Sequence, residues 1–533
     1  VCSSDLAKFS GSVGPTITSV TITGGNHADE DSTATFNYAL TSTDITLDDN
    51  TGSSKIIFAE DNSVTIAGTI DGASAGEGTL QVTGTLKTFS GAIGTTRIDA
   101  LDIDAAVSFS SSVATTTATV DGAINTAASL NVSTTSTLAA NVTTTGTQTY
   151  TGAVTLNADT ILTTTNSAIS FGSTINSLNT TYRDLSMATG SGNISVTGII
   201  GATNKLDVLT VNNTGTLTLS DAVTVNTLTL THTGGTTIGG TLTATTVNLT
   251  DTTDAASITF NGNVTATTLN TAAQAYNVIF NGTTSTITNA VTFSNSGSVT
   301  FGNATGDTPP FPGGVTATAP SQVNLAGTVQ TTNTTMTLGD AGTPIVLDAN
   351  TTLSGNTAGD IALGGTVNGA YSLTANTTGD TTFTLAVGGS TALSSLTTNA
   401  SGTTYINGGG ITTTGTQTYN DAVVLGADTT LTTTDSNITF NGTINSDGGT
   451  ARALTINLDG NSNGTTADVI FGDATADTLG ATNPLGAITI TGDMDLNAAI
   501  TSAASISVSG TSNLGANVTT SRSEEHTSEL QSQ

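Results

Sequence analysis

The sequence predicts an all-β chain wound into a parallel β-helix, a β-solenoid with coils of about 20 residues. Three observations predict it. The run Thr143-Thr144-Thr145-Gly146-Thr147-Gln148-Thr149-Tyr150, with Ala153-Val154-Thr155-Leu156, Ala158-Asp159-Thr160 and Ile169-Ser170-Phe171 behind it, occurs twice. Its second copy is Thr412-Thr413-Thr414-Gly415-Thr416-Gln417-Thr418-Tyr419, then Ala422-Val423-Val424-Leu425, Ala427-Asp428-Thr429 and Ile438-Thr439-Phe440, with the same internal spacing. Phe260, Phe280 and Phe301 fall 20 and 21 residues apart, each closing a short strand pattern. Stretches such as Val223–Thr231 alternate apolar and polar residues with period two, the pattern of a strand with one buried and one wet face. Thr, the commonest residue, is β-branched and stiffens extended backbone.

The two ends stand apart. Residues 1–6 (Val1-Cys2-Ser3-Ser4-Asp5-Leu6) resemble the translated reverse complement of a common short-read sequencing adapter, and residues 522–533 resemble the same adapter read forwards. Set aside as scars, they leave 7–521 as the natural segment, which has neither initiator Met nor stop and reads as internal to a longer protein. A missing signal peptide or anchor therefore carries no information. The only cysteine, Cys2, and one histidine, His526, leave with the scars, so the segment offers no disulfide framework and no thiolate metal site. Removing Asp5, Glu524, Glu525, Glu529 and Arg522 takes the formal charge from −31 to −28. The remaining bases, at positions 8, 55, 87, 97, 183, 205 and 452, are scattered, whereas nucleic-acid binding needs clustered cations on the phosphates. An acidic excess of this size favours a solvated, self-repelling surface.

Residues 7–106 carry Glu30, Glu60 and Glu77 and four of those seven bases. The grammar is still strand and turn, as in Ser63–Ile66, Thr79–Val82 and Leu101–Asp104, and residues 89–96 recur in looser form at 383–391. This part is read as the weakly repeated start of the solenoid, with a separate small β domain over roughly 15–60 as the alternative.

Residues 107–521 form the repetitive solenoid. Asn261-Gly262 and Asn281-Gly282 follow two of the spaced phenylalanines and Gly302-Asn303 the third; such pairs tolerate positive φ and turn the chain sharply. Tight hairpins would pair neighbouring strands antiparallel, but one strand motif returning once per coil, with other strand-like stretches between, stacks parallel. Phe171, Phe260, Phe280, Phe301 and Phe440 are expected to form a core ladder, each burial contributing roughly 1.5–3 kcal/mol. At ~4.8 Å between coils, some 25 coils would give a rod on the order of 120 Å. Pro309, Pro310, Pro312 and Pro320 crowd one stretch, expected as a loop thrown out between coils, because proline cannot donate to a ladder. Between the two long copies the offset grows from 269 residues to 279, as Gly201-Ala202-Thr203-Asn204 returns at Gly480-Ala481-Thr482-Asn483, so about ten residues are inserted at surface loops. A third copy starts where Thr126-Ala127-Ala128-Ser129 returns at Ser502-Ala503-Ala504-Ser505.

The Thr-Thr-Thr-Gly-Thr-Gln-Thr-Tyr run, the Ala-Val-x-Leu-x-Ala-Asp-Thr that follows it, the stretch 388–398 and Ile406-Asn407-Gly408-Gly409 resemble repeats of the very large filamentous-haemagglutinin-like proteins of Gram-negative bacteria. The similarity covers most of 107–520 and weakly the part before it. It implies a right-handed parallel β-helix, export by two-partner or autotransporter-type secretion with an outer-membrane secretion partner, and display on the cell surface as an adhesin or stalk. The family's amino-terminal secretion domain is not visible in this sequence.

Chemistry-bearing residues are few. His27 lies in the acidic stretch Asn26–Asp31, where the carboxylates near Asp29 offer hard-cation oxygens without Asp-x-Asp-x-Asp-Gly spacing; a solvated turn is the expectation. His232, between Thr231 and Thr233 at a strand end, reads as a surface histidine. No nucleophile elbow, phosphate loop or histidine metal motif is present. Polysaccharide-cleaving β-helices need paired carboxylates beside a cleft or a base with bound calcium, usually with aromatic platforms, and this chain has no Trp and seven Tyr. Binding of ice or polysaccharide by a Thr array is the other rival, set back by coils of unequal length. The expectation is a non-enzymatic structural or adhesive segment, extracellular, with no catalytic, cofactor or metal residues, no membrane-spanning segment and no nucleic-acid partner. Its ligand would lie on a host, matrix or neighbouring-cell surface.

Overall fold

Short runs that alternate apolar and polar residues can bury only one face, so they must be covered by more of the same. A computed structural model describes residues 7–9, 19–25, 31–38, 40–59, 61, 63–85, 87–464, 466–473, 476–521 and 530–531. Among these all regular structure is strand and none is helix. The strands stack in parallel into a β-solenoid, about 23 turns recurring every ~21 residues. Two compact units are distinguished, 1–256 and 257–533.

In the first unit each turn has three walls, built by three separate strands between Ser129 and Ser177. One wall stacks Ser129–Val132, Gln148–Tyr150, Ile169–Phe171, Ile194–Val196, Leu217–Leu219 and Thr236–Ile238, in parallel and in register. Its inward column runs Val132, Tyr150, Phe171, Val196, Leu219, Ile238, all buried. A second wall stacks Ser136–Leu138, Val154–Leu156 and Ile175–Ser177. The third stacks Val142–Thr144, Thr160–Thr164, Leu185–Gly190 and Leu206–Asn213. Val223–Thr231, which alternation alone presents as one strand, is buried at Val223 and Val225 and then at Leu228 and Leu230. The phase slips by one residue at Asn226-Thr227, where the strand turns from the second wall into the third. Within 19–106 the pairing is parallel too: Ser19–Thr23 against Thr41–Asp48, and that strand against Val64–Gly72.

The second unit repeats this construction. Phe260, Phe280 and Phe301 stand in register on successive strands and are buried. Their ring centroids are 5.2 Å and 6.2 Å apart, with planes 15° from parallel in both pairs. Tyr419, Phe440 and Phe471 form a second stack at 5.0 Å and 5.5 Å. Phe171 is likewise buried and stacked on Tyr150, so all five phenylalanines expected in the core are buried. They do not form one ladder: Phe440 stands on the column of Tyr419 and Phe471, which passes through Leu353 and Val329, whereas Phe301 leads to Leu325 and Leu347.

Two local expectations are corrected. The proline-rich stretch is not a loop thrown out of the stack: the Ile287 amide donates to the Pro310 carbonyl at 3.2 Å and the Phe311 amide to the Gln330 carbonyl at 2.6 Å. Pro310 and Phe311 thus occupy a turn of the wall, and Phe311 is buried edge-on to Phe301 with centroids 5.2 Å apart. Proline is tolerated because Phe311 supplies the donor that the prolines lack. The Asn-Gly corners also work differently, since Gly262 and Gly282 are not among the residues with positive φ, although Gly302 is, at 78°. Glycine is needed at 282 for close approach, as a Cβ there would lie 2.5 Å from the Gly262 carbonyl oxygen. The asparagines stack, with Asn281 Nδ2 donating to Asn261 Oδ1 at 3.0 Å.

Candidate functional site

The repeated motif owes its spacing to a buried polar pair. Gln148 faces inward, fully buried, and its Nε2 donates to the carbonyls of Val142 at 3.1 Å and Thr163 at 2.9 Å, while its Oε1 accepts the Tyr150 hydroxyl at 3.1 Å. In the second copy Gln417 Nε2 donates to Ile411 and Thr432 carbonyls at 3.3 Å and 3.0 Å, and Oε1 accepts the Tyr419 hydroxyl at 2.9 Å. Each partner lies 269 positions from its counterpart. Burial pushes both phenols well above the usual tyrosine range.

A second buried polar feature closes the corners. Thr144, Thr164, Thr189 and Asn213, stacked in successive turns and all buried, each bond a carbonyl two or three residues ahead. Thr413 and Thr433 do the same in the second unit, at 2.5 Å each. Threonine thus serves inside the corners as well as on the wet face, and the sequence pattern does not separate the two uses.

Outward faces are uncharged over long columns, for example Asn131, Thr149, Ser170, Ser195, Thr218 and Thr237 on the first wall. The register holds although successive turns differ in length, because extra residues are taken up at the corners. A three-residue strand such as Gln148–Tyr150 offers only one outward side chain per turn, so this wall carries a single file of polar groups.

Of the singled-out residues, His232 stands directly after the strand Val223–Thr231 at φ 60°, half exposed, with Nδ1 2.9 Å from Asp251 Oδ2. His27 and Asp29 lie outside the described residues. Among the described residues no group of three or more His, Cys, Asp or Glu is placed to hold a metal. Burial, ahead of like charge, raises the carboxyls of Asp102, Asp184 and Asp468; Asp421 is raised by burial too, against bonds from the Gly402 amide at 2.9 Å and Thr404 Oγ1 at 3.2 Å. No helix among the described residues is long and apolar enough to cross a membrane.

One surface feature carries no signal in the sequence. The segment joining Ile175–Ser177 to Leu185–Gly190 is a lobe on which Leu178 and Tyr182 are 49 % and 38 % exposed. Lys205 Nζ sits 5.0 Å from the centre of the Tyr182 ring. The Arg183 carbonyl accepts from the Asp207 amide at 3.0 Å, yet its Nε is buried and unpartnered. The equivalent lobe of the second copy has the same frame and a different surface. Ser177 Oγ accepts the Arg183 amide at 3.0 Å and Ser446 Oγ the Arg452 amide at 2.9 Å; Asn176 and Asn445 both accept from a Thr amide at 2.9 Å. There Leu178 is replaced by Asp447, Tyr182 by Ala451 and Lys205 by Pro484. Arg452 pairs with Asp447 at 2.8 Å, and a depression of about 140 Å3 opens between Gly448, Gly449, Ala451, Asn483 and Pro484.

No protein family matches the chain, and comparison with curated proteins and with solved structures finds no match.

Proposed function

We propose that this chain is a non-enzymatic structural segment, a stalk or passenger of a secreted bacterial surface protein of the filamentous-haemagglutinin-like kind. The observation that carries this reading is what repeats. The buried Gln–Tyr pair and the corner hydroxyls recur after 269 residues, whereas Leu178, Tyr182 and Lys205 of the exposed lobe are replaced. Selection that keeps a frame and lets its surface vary suits a spacer. A catalyst needs one irregular site, and several of the described carboxylates, Asp159, Asp184 and Asp421 among them, accept backbone or hydroxyl donors within the stack. The acidic, Thr-rich surface and the cysteine-free natural segment support export, in which a chain crosses unfolded and winds up turn by turn.

The test is to place residues 107–521 in the passenger position of an autotransporter in a Gram-negative host. The expected result is surface exposure, read by protease shaving of intact cells, with a folded β segment. Retention inside the cell under conditions where a control passenger is exported overturns the reading. A deletion of 143–411, which joins Val142 to Thr412 in register, is expected to be exported and folded equally well.

A further inference from the structure

We propose that the lobe carrying Leu178, Tyr182, Arg183 and Lys205 is a binding site for a glycan bearing a carboxylated pyranose. This goes beyond a spacer role and rests only on the solenoid frame.

Among the described residues the exposed large hydrophobic side chains are Tyr38, Ile161, Leu178, Tyr182 and Tyr371. Two stand on this one short lobe, and Ile161 projects from the neighbouring strand, in register with Ser186. In a segment of charge −28, two of its seven bases stand here as well. Neither Arg183 nor Lys205 has a carboxylate partner among the described residues, in contrast to Arg452 on the equivalent lobe. The nearby carboxylates hold the frame: Asp159 Oδ1 accepts the Asp184 backbone amide at 3.0 Å, Asp184 Oδ1 the Val208 backbone amide at 3.1 Å, and Asp207 Oδ1 the Asn226 side-chain Nδ2 at 2.6 Å. The lobe therefore offers an aromatic and aliphatic surface with Lys205 Nζ against the Tyr182 ring and the half-buried Arg183, its Nε buried and unpartnered, next to Tyr182 in the chain, edged by the exposed polar residues Asn179, Thr180 and Thr181.

A pyranose has an apolar CH face that stacks on an aromatic ring, and its hydroxyls pair with amides and hydroxyls. A carboxylate on that ring would engage the lysine and the arginine fork. A nucleic acid needs a run of clustered cations along its backbone, and this lobe offers two. An extended peptide would need a groove or a free sheet edge, and the strands flanking the lobe are paired on both sides.

The experiment titrates residues 7–521, in the presence of a chelator, with oligogalacturonate and with a sialylated oligosaccharide, the two sources of such a carboxylate. Neutral oligogalactose, oligoglutamate and single-stranded DNA serve as comparisons. Saturable binding of one or both acidic sugars is expected, with neutral sugar weaker by about tenfold or more, the equivalent of about 1.4 kcal/mol. Tyr182→Ala, Arg183→Gln and Lys205→Gln are each expected to weaken it by a similar factor with circular dichroism unchanged. Grafting the lobe onto the second copy, by Asp447→Leu, Ala451→Tyr and Pro484→Lys, is expected to double the stoichiometry. No saturable binding, binding insensitive to all three substitutions, or preference for oligoglutamate or DNA overturns the proposal. An intact β spectrum in that event leaves the structural reading standing.

Discussion

Tyr150 stacks on Phe171 with ring centres 5.0 Å apart and planes 12° from parallel, while its hydroxyl is tied to Gln148 on its own strand. The ring belongs to the apolar column and the hydroxyl to a buried polar pair, so one residue joins the two systems that hold successive turns together.

Tyr150→Phe keeps the stack and strands Gln148 Oε1 without its donor, which costs about 1–3 kcal/mol. Gln148→Ala costs more, since it leaves the Val142 and Thr163 carbonyls short of a partner and opens a cavity. Because a solenoid need not unfold as one unit, the check is hydrogen exchange of the amides of 142–171. Both variants are expected to speed exchange there, Gln148→Ala the more, and exchange beyond the neighbouring turns is expected to be unchanged.

Phe311→Ala is expected to destabilise its region by about 3–5 kcal/mol, the loss for a buried aromatic. A residue on a loop outside the stack would cost almost nothing. Thermal unfolding of residues 257–521 with and without the substitution separates these outcomes.

Glycines divide by what surrounds them. A Cβ at Gly152 would lie 1.5 Å from the Thr134 carbonyl oxygen, so Gly152→Ala must push two turns apart and is expected to cost about 1–3 kcal/mol. At Gly306 a Cβ meets nothing within 4 Å and φ is not positive, so Gly306→Ala is expected to be neutral or stabilising by about 0.4–1 kcal/mol. Paired melting curves of the two variants provide the comparison.

Between pH 8 and pH 4.5, above the range in which the lowered carboxyls of Asp31, Asp61 and Asp447 take up protons, falling pH is expected to stabilise this protein. The carboxyls of Asp99, Asp102, Asp184, Asp348, Asp421 and Asp468 are raised, chiefly by burial. A raised carboxyl binds its proton more tightly in the folded chain. Its contribution is therefore complete below the ordinary aspartate value of 3.8 and is lost as pH rises through the raised value. Self-repulsion of the acidic surface acts in the same direction. The melting temperature is expected to rise from pH 8 towards pH 4.5, with added salt narrowing the difference; a fall over that range would refute the assignment.

Much of this fold is legible because a solenoid writes the same instruction many times. Phe260, Phe280 and Phe301 announce their register by spacing alone, and the period-two strands announce which face is buried. Residues whose role runs against their chemistry are not legible. Gln148 is polar yet fully buried, and Thr144 closes a corner from inside while Thr149, five residues on, faces outward. Proline at 310 argues for a loop until the amides of Ile287 and Phe311 are seen to complete the ladder around it. The Tyr182 lobe is hidden for another reason: Lys205 comes from the next turn, so the pair is distant in sequence and meets only once the coils are stacked.

The central claim is that identical strands stack in parallel and in register, and cysteine pairs test it directly. Residues 7–521 contain no cysteine. Thr149 and Ser170 are register partners on adjacent turns, both facing outward, whereas a hairpin through Gly152 would set Thr149 opposite Thr155. With neighbouring strands ~4.8 Å apart, a disulfide needs little adjustment. The account predicts that Thr149→Cys with Ser170→Cys oxidises readily to an intramolecular disulfide, and that Thr149→Cys with Thr155→Cys does not. The reverse pattern would contradict it.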